Sequence, residues 1–366
     1  MDKNRITRPS HGCLTDEAAT NGNIPPLGLR EEKWDSGKEE DRTMRTAIVL
    51  ALGVTLQSPL ALGQTAAEPR NETLITLGTE GGPVPHGERS GIATLLQVNG
   101  KSYLFDAGNG VTRQLAGAGV KLIEVQKIFL THLHDDHYSG VAPFVGELWT
   151  SKPENPVDIY GPPLVKNVID GALAFQSVNR MIRLVERKFP HPAETFVAHE
   201  IGPGEVYKDE NIKVTAIENH HFHFPKDSPP YGKTMSLSYR IETPNRVIVI
   251  TGDTGAFDGL AEFARSADLF VTEVIDPDEV LEFLQSVSGS TWSKEIYNAR
   301  KFHMEEEHMT PESIAKLASA AKVKKVVLTH FPPRTKGHDQ TSQDFAMRVK
   351  AGFSGDVVAA RDLERF

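Results

Sequence analysis

Apolar positions along the chain fall into short β-prone runs and longer stretches with helical spacing. Residues 92–98, 102–105 and 127–130 are compact apolar runs, and Gly91, Asn99 and Asp106 punctuate the first two. Between them, residues 110–118 read as a short helix, and 157–160 form another strand ended by Gly161, Pro162 and Pro163. From 164 to 187 the spacing turns helical, with Val165, Val168, Ile169 and Ala172 at i, i+3, i+4 and i+7. A second half begins near Gly202-Pro203-Gly204. Its strands are predicted at 213–217, 234–241 and 246–251, the last two joined by a turn over 242–245. Asp276-Pro277, with Glu279 three residues after Asp276, gives a capping-box-like helix start. Thr310-Pro311 opens another helix, with Ile314, Leu317, Ala318 and Ala321 on one face, and 325–329 is the next strand. Two β-rich halves flanked by helices predict an α/β fold, a four-layer αβ/βα sandwich with its functional loops along one edge between the sheets.

The N-terminal region departs from this pattern. Residues 1–43 are polar, charged and aperiodic, which reads as a disordered extension or a start assigned too early, with Met44 as the true start. Met44-Arg45 precedes an apolar run over 46–63 that closes in small residues. Segment 44–67 therefore has the layout of a signal peptide, with cleavage at Ala61-x-Gly63 or Thr65-x-Ala67. Gln57 and Pro59 interrupt the apolar run, so no stable membrane span is expected. The expected mature chain, residues 68–366, is periplasmic or secreted. A cytosolic extension carrying an apolar helix is the other reading.

A chain of 366 residues can bury one large or two modest cores. Its 40 basic and 49 acidic residues give −9, which argues against a nucleic-acid partner, although a local basic groove can hide inside an acidic total. Cys13 is the only cysteine, so no intrachain disulfide forms and 68–366 offers no thiolate.

The densest chemistry lies at residues 131–140, Thr-His-Leu-His-Asp-Asp-His-Tyr-Ser-Gly, directly after an apolar run. At a strand end residues i and i+2 share a face, so His132 and His134 can grip one metal ion. A turn then re-aims Asp136 and His137 toward a second. Imidazoles with a carboxylate favour zinc, with manganese or iron as alternatives.

His132-x-His134-x-Asp136-His137 resembles the signature of the metallo-β-lactamase superfamily. The likeness runs from about Leu74 to His330. It takes in Thr76-Leu-Gly-Thr-Glu-Gly-Gly-Pro83, Tyr103-Leu-Phe-Asp-Ala-Gly-Asn-Gly110, Glu218-Asn-His-His221, Gly252-Asp-Thr-Gly255 and Leu328-Thr-His-Phe331. The Leu-Gly-Thr opening, the Gly-Asp-Thr motif, His308-Met-Thr310 and Thr329-His330 resemble the ribonuclease Z and arylsulfatase-like branch. The resemblance implies a dinuclear site: His132, His134 and His221 on one ion, Asp136, His137 and His330 on the other, and Asp253 bridging. A carboxylate can span two ions where a neutral imidazole cannot. Taken alone, Asp253 would read as a turn cap.

The third ligand is ambiguous in register. Strand alternation places His221 and His223 on one face and His220 on the other, while the family pattern puts the ligand at His221. His223 is then expected to line the pocket, and His220 to be exposed or behind the ligands. The resemblance implies that His308 acts on the leaving side as general acid or oxyanion stabiliser, oriented by Glu273. Helix-entry packing and a paired structural carboxylate are the plainer readings of that pair. Asp106 reads as a structural tie beneath the metal loop. His11, His86, His191, His199, His303 and His338 carry no motif and read as structural or surface groups.

Two divalent ions lower the pKa of a bridging water, so a hydroxide is present near neutral pH, and they polarise an ester oxygen. Asp136 can orient that hydroxide and accept its proton, and His308 can protonate the leaving group. The expectation is a dinuclear metal-dependent hydrolase that cleaves a phosphodiester or sulfate ester of a small molecule. The alternatives are a ribonuclease Z-like transfer-RNA 3′ processing endonuclease and a non-catalytic metal-binding module. Segment 161–208 has only modest positive charge, with Arg180, Arg183, Arg187 and Lys188 on a helix rather than a long basic arm, and export would part the enzyme from transfer RNA. Segment 286–308, with Trp292, Tyr297 and Phe302, is expected to fold over the site as an apolar wall, or else to pack as an irregular loop. A second copy of the chain is left open as a partner.

Overall fold

In the computed structural model, residues 71–366 are described, apart from 83, 86, 152–154, 187–191 and 334–337. The disordered segment 1–43 and signal segment 44–67 expected above lie outside the described residues. All described residues fall in one unit, Thr65–Phe366.

The first half opens with β1 (Glu72–Gly78), β2 (Ala93–Val98), β3 (Lys101–Phe105), α1 (Val111–Gly117), β4 (Val125–Phe129), α2 (Asp135–Tyr138) and α3 (Val141–Thr150). It continues with β5 (Val157–Gly161), α4 (Val165–Phe175), α5 (Ser177–Glu186), α6 (Pro192–Thr195) and β6 (Phe196–Glu200). The second half begins with β7 (Gly204–Lys208), β8 (Lys213–Glu218), β9 (Leu237–Glu242), β10 (Val247–Ile250), α7 (Asp258–Phe263), β11 (Leu269–Thr272) and α8 (Pro277–Val287). It closes with α9 (Lys294–Glu306), α10 (Pro311–Ala321), β12 (Lys325–Leu328), α11 (His338–Gly352), β13 (Asp356–Ala359) and β14 (Glu364–Arg365).

Among the described residues two seven-stranded sheets form, ordered β14-β1-β2-β3-β4-β5-β6 and β13-β12-β11-β10-β9-β8-β7. Alternation along the strands sorts side chains between layers. Ile75, Leu77, Leu104 and Ile128 face α1, α3 and α4, whereas Leu74, Tyr103, Phe105 and Phe129 face the other sheet. In the second sheet, Val249, Phe270 and Val326 pack on α7, α10 and α11, while Ile248, Ile250, Val271 and Val327 enter the inter-sheet core. Strands buried on both faces explain why these runs read as continuous apolar stretches. The expected four-layer αβ/βα sandwich is therefore the observed fold.

Caps behave as the sequence predicts. Thr310 and Ser313 form a reciprocal capping box at α10, and the Asp276 side chain accepts from Glu279 N–H at α8. Two expectations need correction. The helical stretch 164–187 is two helices that break at Gln176, and the exposed apolar residues of α5 (Val178, Met181, Val185) take no part in the core. Segment 286–308 is mostly the regular helix α9, capped by Ser293, rather than an irregular loop.

Candidate metal centre

Segments following β4, β8, β10 and β12 supply the side chains of the site. β9 ties the two sheets together at this edge: Leu237 N–H donates to Thr131 O (2.9 Å) and Tyr239 Oη–H to Leu130 O (2.6 Å). Gly252, the second residue past β10, has φ +59°, and a Cβ there would sit 2.8 Å from the Thr131 side chain. Glycine thus lets the Asp253 loop close onto the histidine loop.

Two clusters result. His132 Nε2 lies 3.2 Å from His134 Nδ1, which lies 3.0 Å from His221 Nε2. His330 Nε2 lies 3.2 Å from His137 Nε2 and 3.1 Å from Asp136 Oδ2. Asp253 stands between them, with Oδ1 3.3 Å from His137 Nε2 and Oδ2 3.4 Å from His330 Nε2 and 4.0 Å from His221 Nε2. Ligand atoms in each cluster lie within 4.8 Å of one another, so each could hold one metal ion. His221, Asp253 and His308 also meet that distance, although His308 Nδ1 is already engaged by Glu273.

The donor set fits divalent ions. In the first cluster, the ring nitrogens of His132, His134 and His221 converge at 3.0–3.2 Å on one another, an arrangement of lone pairs that is costly unless a cation takes them up. Asp253 Oδ1 and His330 Nδ1 are buried without hydrogen-bond partners. Burial drives His132, His134 and His221 well toward the neutral form that ligates. At the second cluster burial opposes the imidazolium, but Asp253 first and then Asp136 override it, so His137 and His330 are raised. Burial works against ionised Asp253, yet the facing histidines, His330 first, hold it well below the usual carboxylate range.

Outer contacts aim the rings. Asp106 Oδ2 lies 2.9 Å from His137 Nδ1, and Thr131 Oγ1 lies 3.1 Å from His132 Nδ1. His221 Nδ1 pairs with Glu307 O at 3.1 Å, and Asn219 Oδ1 accepts the His221 N–H. Asp106 is therefore more than a tie in the turn, because it orients a candidate ligand.

His308 Nδ1 lies 2.6 Å from Glu273 Oε2, and Glu273 Oε1 accepts the Thr254 N–H at 2.6 Å. Burial, then the charge of Asp253, raises Glu273 well above its ordinary value, and burial lowers His308 to about 4. A neutral imidazole accepting at Nδ1 from a protonated carboxyl carries its hydrogen on Nε2. The His308 and His221 ring centres are 4.9 Å apart.

Above the clusters lies a cavity of about 270 Å³ lined by His134, Asp136, Asp253, His303, His308 and His330 among the polar groups. Its apolar wall is Ile275, Val280, Leu284 and Met304. This revises the expected wall, since Trp292 packs into the cluster beneath α8 and α9 while Tyr297 and Phe302 are exposed. β8 ends at Glu218, so strand alternation does not extend to the histidines: His221 is buried, His223 is exposed and off the cavity, and His220 stacks on Phe257 at 4.1 Å. His303 and Glu307 were missed in the sequence. The available signal was their i, i+4 spacing on a helix-forming segment next to His308.

Comparison with known proteins places the chain. Residues 101–331 match the family model described as Beta-lactamase superfamily domain. Ribonuclease Z from Mycobacterium bovis (strain BCG / Pasteur 1173P2) is 28% identical over 297 residues, covering 80% of this chain and 96% of that protein. The metallo-beta-lactamase fold protein YhfI from Bacillus subtilis superposes with TM-score 0.57 at 18% identity, over 81% of this chain and 98% of that one. Human tRNase Z, short form, gives TM-score 0.53 at 22% identity, over 80% and 98%.

Proposed function

The chain belongs to the beta-lactamase superfamily, and from that premise we propose that it is a metal-dependent hydrolase cleaving an RNA phosphodiester. Relatives named ribonuclease Z support this reading above the sulfate-ester one. The observation that carries it is the His308–Glu273 pair beside the metal-ligand clusters. A ribose oxygen leaves poorly and gains much from a positioned proton, whereas an aryl oxide leaves without one.

When bound, two divalent ions, zinc first and manganese or iron as alternatives, would lower the pKa of a water and polarise the phosphoryl oxygen. Asp136, its Oδ2 braced by the Gly82 N–H at 2.9 Å, orients the attacking water and accepts its proton. His308 donates its Nε2 hydrogen to the leaving oxygen. Glu273 passes its proton to Nδ1 in the same step, so the imidazole stays neutral and the carboxyl becomes a carboxylate. Thr254 N–H, already on Glu273 Oε1, stabilises that carboxylate.

A compact ester is the second reading, supported by the apolar wall of Ile275, Val280, Leu284 and Met304 and by the chain's acidic balance of −9. Assaying metal-loaded protein on precursor transfer RNA, bis-p-nitrophenyl phosphate, p-nitrophenyl sulfate and a lactone decides between them. RNA cleavage is expected; sulfatase or lactonase activity alone would overturn the proposal. We keep export as part of the proposal, in which case the RNA is one met outside the cytoplasm. N-terminal sequencing should then find a start near Gln64 or Glu68, and an intact chain from Met1 in the cytosol would refute export.

A further inference from the structure

His303 enters the cavity from α9 beside His308 and His221, with ring centres 5.0 Å and 5.4 Å away. Its Nδ1 is hydrogen-bonded to Glu307 Oε2. Glu307 is buried, and its Oε1 accepts the His223 main-chain N–H at 3.0 Å and contacts His223 Nδ1 at 3.0 Å. Burial works against its charge, but the hydrogen bonds from His303 and His223 hold the carboxyl below its ordinary range. A carboxylate engaged in this way is an acceptor, so His303 Nδ1 donates to it. In the neutral ring this tautomer leaves the Nε2 lone pair as an acceptor, with no partner among the described residues.

Two His–Glu pairs of opposite polarity therefore meet at one cavity. His308 presents a donor and His303 an acceptor. The nearby main-chain donors are spent: Gly81 N–H goes to Phe331 O and Gly82 N–H to Asp136 Oδ2. Asp135 also lines the cavity but is an exposed anion, which repels a phosphodiester. A substrate matched to this wall carries a hydroxyl near the scissile ester, which an aryl sulfate lacks and a ribonucleotide has.

We propose that His303 Nε2 accepts a hydrogen bond from the ribose 2′-hydroxyl beside the scissile phosphodiester, an inference that rests on the RNA reading above. His303 thereby acts as a specificity residue for RNA over DNA. Glu307 is its positioning residue, fixing both the ring and the tautomer.

The test compares single-turnover cleavage of an oligoribonucleotide with versions carrying one 2′-deoxy sugar on either side of the cleaved bond. Wild type should prefer the all-ribose substrate over one of these by roughly 3–10-fold, the range of one hydrogen bond. His303→Ala should bring that ratio to about one by slowing the ribose substrate alone, with metal content unchanged. Glu307→Gln should also lower it, because an amide N–H facing Nδ1 turns Nε2 into a donor. Fluorescence anisotropy on the ribose and deoxyribose cleavage products should show the same loss of discrimination. A ratio unaltered in His303→Ala, or absent in wild type, overturns the assignment. Hydrolysis of bis-p-nitrophenyl phosphate without cleavage of any RNA instead overturns the RNA reading, and this inference with it.

Discussion

Asp106 Oδ2 lies 2.9 Å from His137 Nδ1, while Oδ1 of the same carboxylate takes the Thr131 N–H at 2.8 Å. One buried side chain thus joins the end of β4 to a candidate ligand of the second ion. Asp106 itself has φ +56°, a conformation that Asn also tolerates. Asp106→Asn should therefore fold, but an amide cannot hold the His137 tautomer as a carboxylate does. The expected loss is about 10–100-fold in affinity for the second metal ion. Chelator competition measures it, and an unchanged affinity would remove Asp106 from that role.

Asp253 contacts histidines of both clusters, at 3.3 Å, 3.4 Å and 4.0 Å. Asp253→Ala should lose at least one ion and most of the turnover, read by elemental analysis beside a rate assay. Retention of two ions at normal rate would end the bridging assignment. His221→Ala should cost far more metal than His220→Ala, since His221 converges on His134 whereas His220 stacks on Phe257. The reverse order would hand the ligand role to His220.

The site was legible in the sequence where it is local. His132, His134, Asp136 and His137 sit in one stretch, and the turn that separates their directions is short. Asp253 and His330 each follow an apolar strand, so their positions could be read once the strands were. The register of His221 needed the family pattern, because period-2 alternation stops where β8 ends at Glu218. His303 escaped for a different reason. Its role depends on a helix reaching across to β8's loop, and helical spacing alone does not say which face meets a distant loop. The break between α4 and α5 at Gln176 has no glycine or proline to announce it.

Metal binding should depend on pH unequally at the two clusters. His137 and His330 are raised by the facing carboxylates, so the ion-free protein holds protons there that a metal must displace. His132, His134 and His221 are lowered by burial and already present lone pairs. As pH falls from about 8 to about 6, through the ordinary imidazole range, the second ion should weaken first. Equilibrium dialysis across that range reads the stoichiometry. Loss of both ions in a single step would contradict the inequality.

His308 offers the sharpest separation of chemistry from metal binding. Its Nδ1 is committed to Glu273 at 2.6 Å, and it stands outside the two ligand clusters proposed for the ions. His308→Ala should therefore keep its metal content while losing a proton donor. General acid catalysis contributes roughly 10²–10⁴-fold, so a loss of that order is expected for phosphodiesters with alkoxide leaving groups. Nitrophenyl esters leave without protonation and should suffer much less. Glu273→Gln should show the same dependence in milder form, because the amide can orient His308 but has no proton to pass on. Buried packing cannot mimic this pattern, since a misplaced helix start slows every substrate alike. An equal loss across leaving groups, or loss of an ion, would take the acid role away from His308.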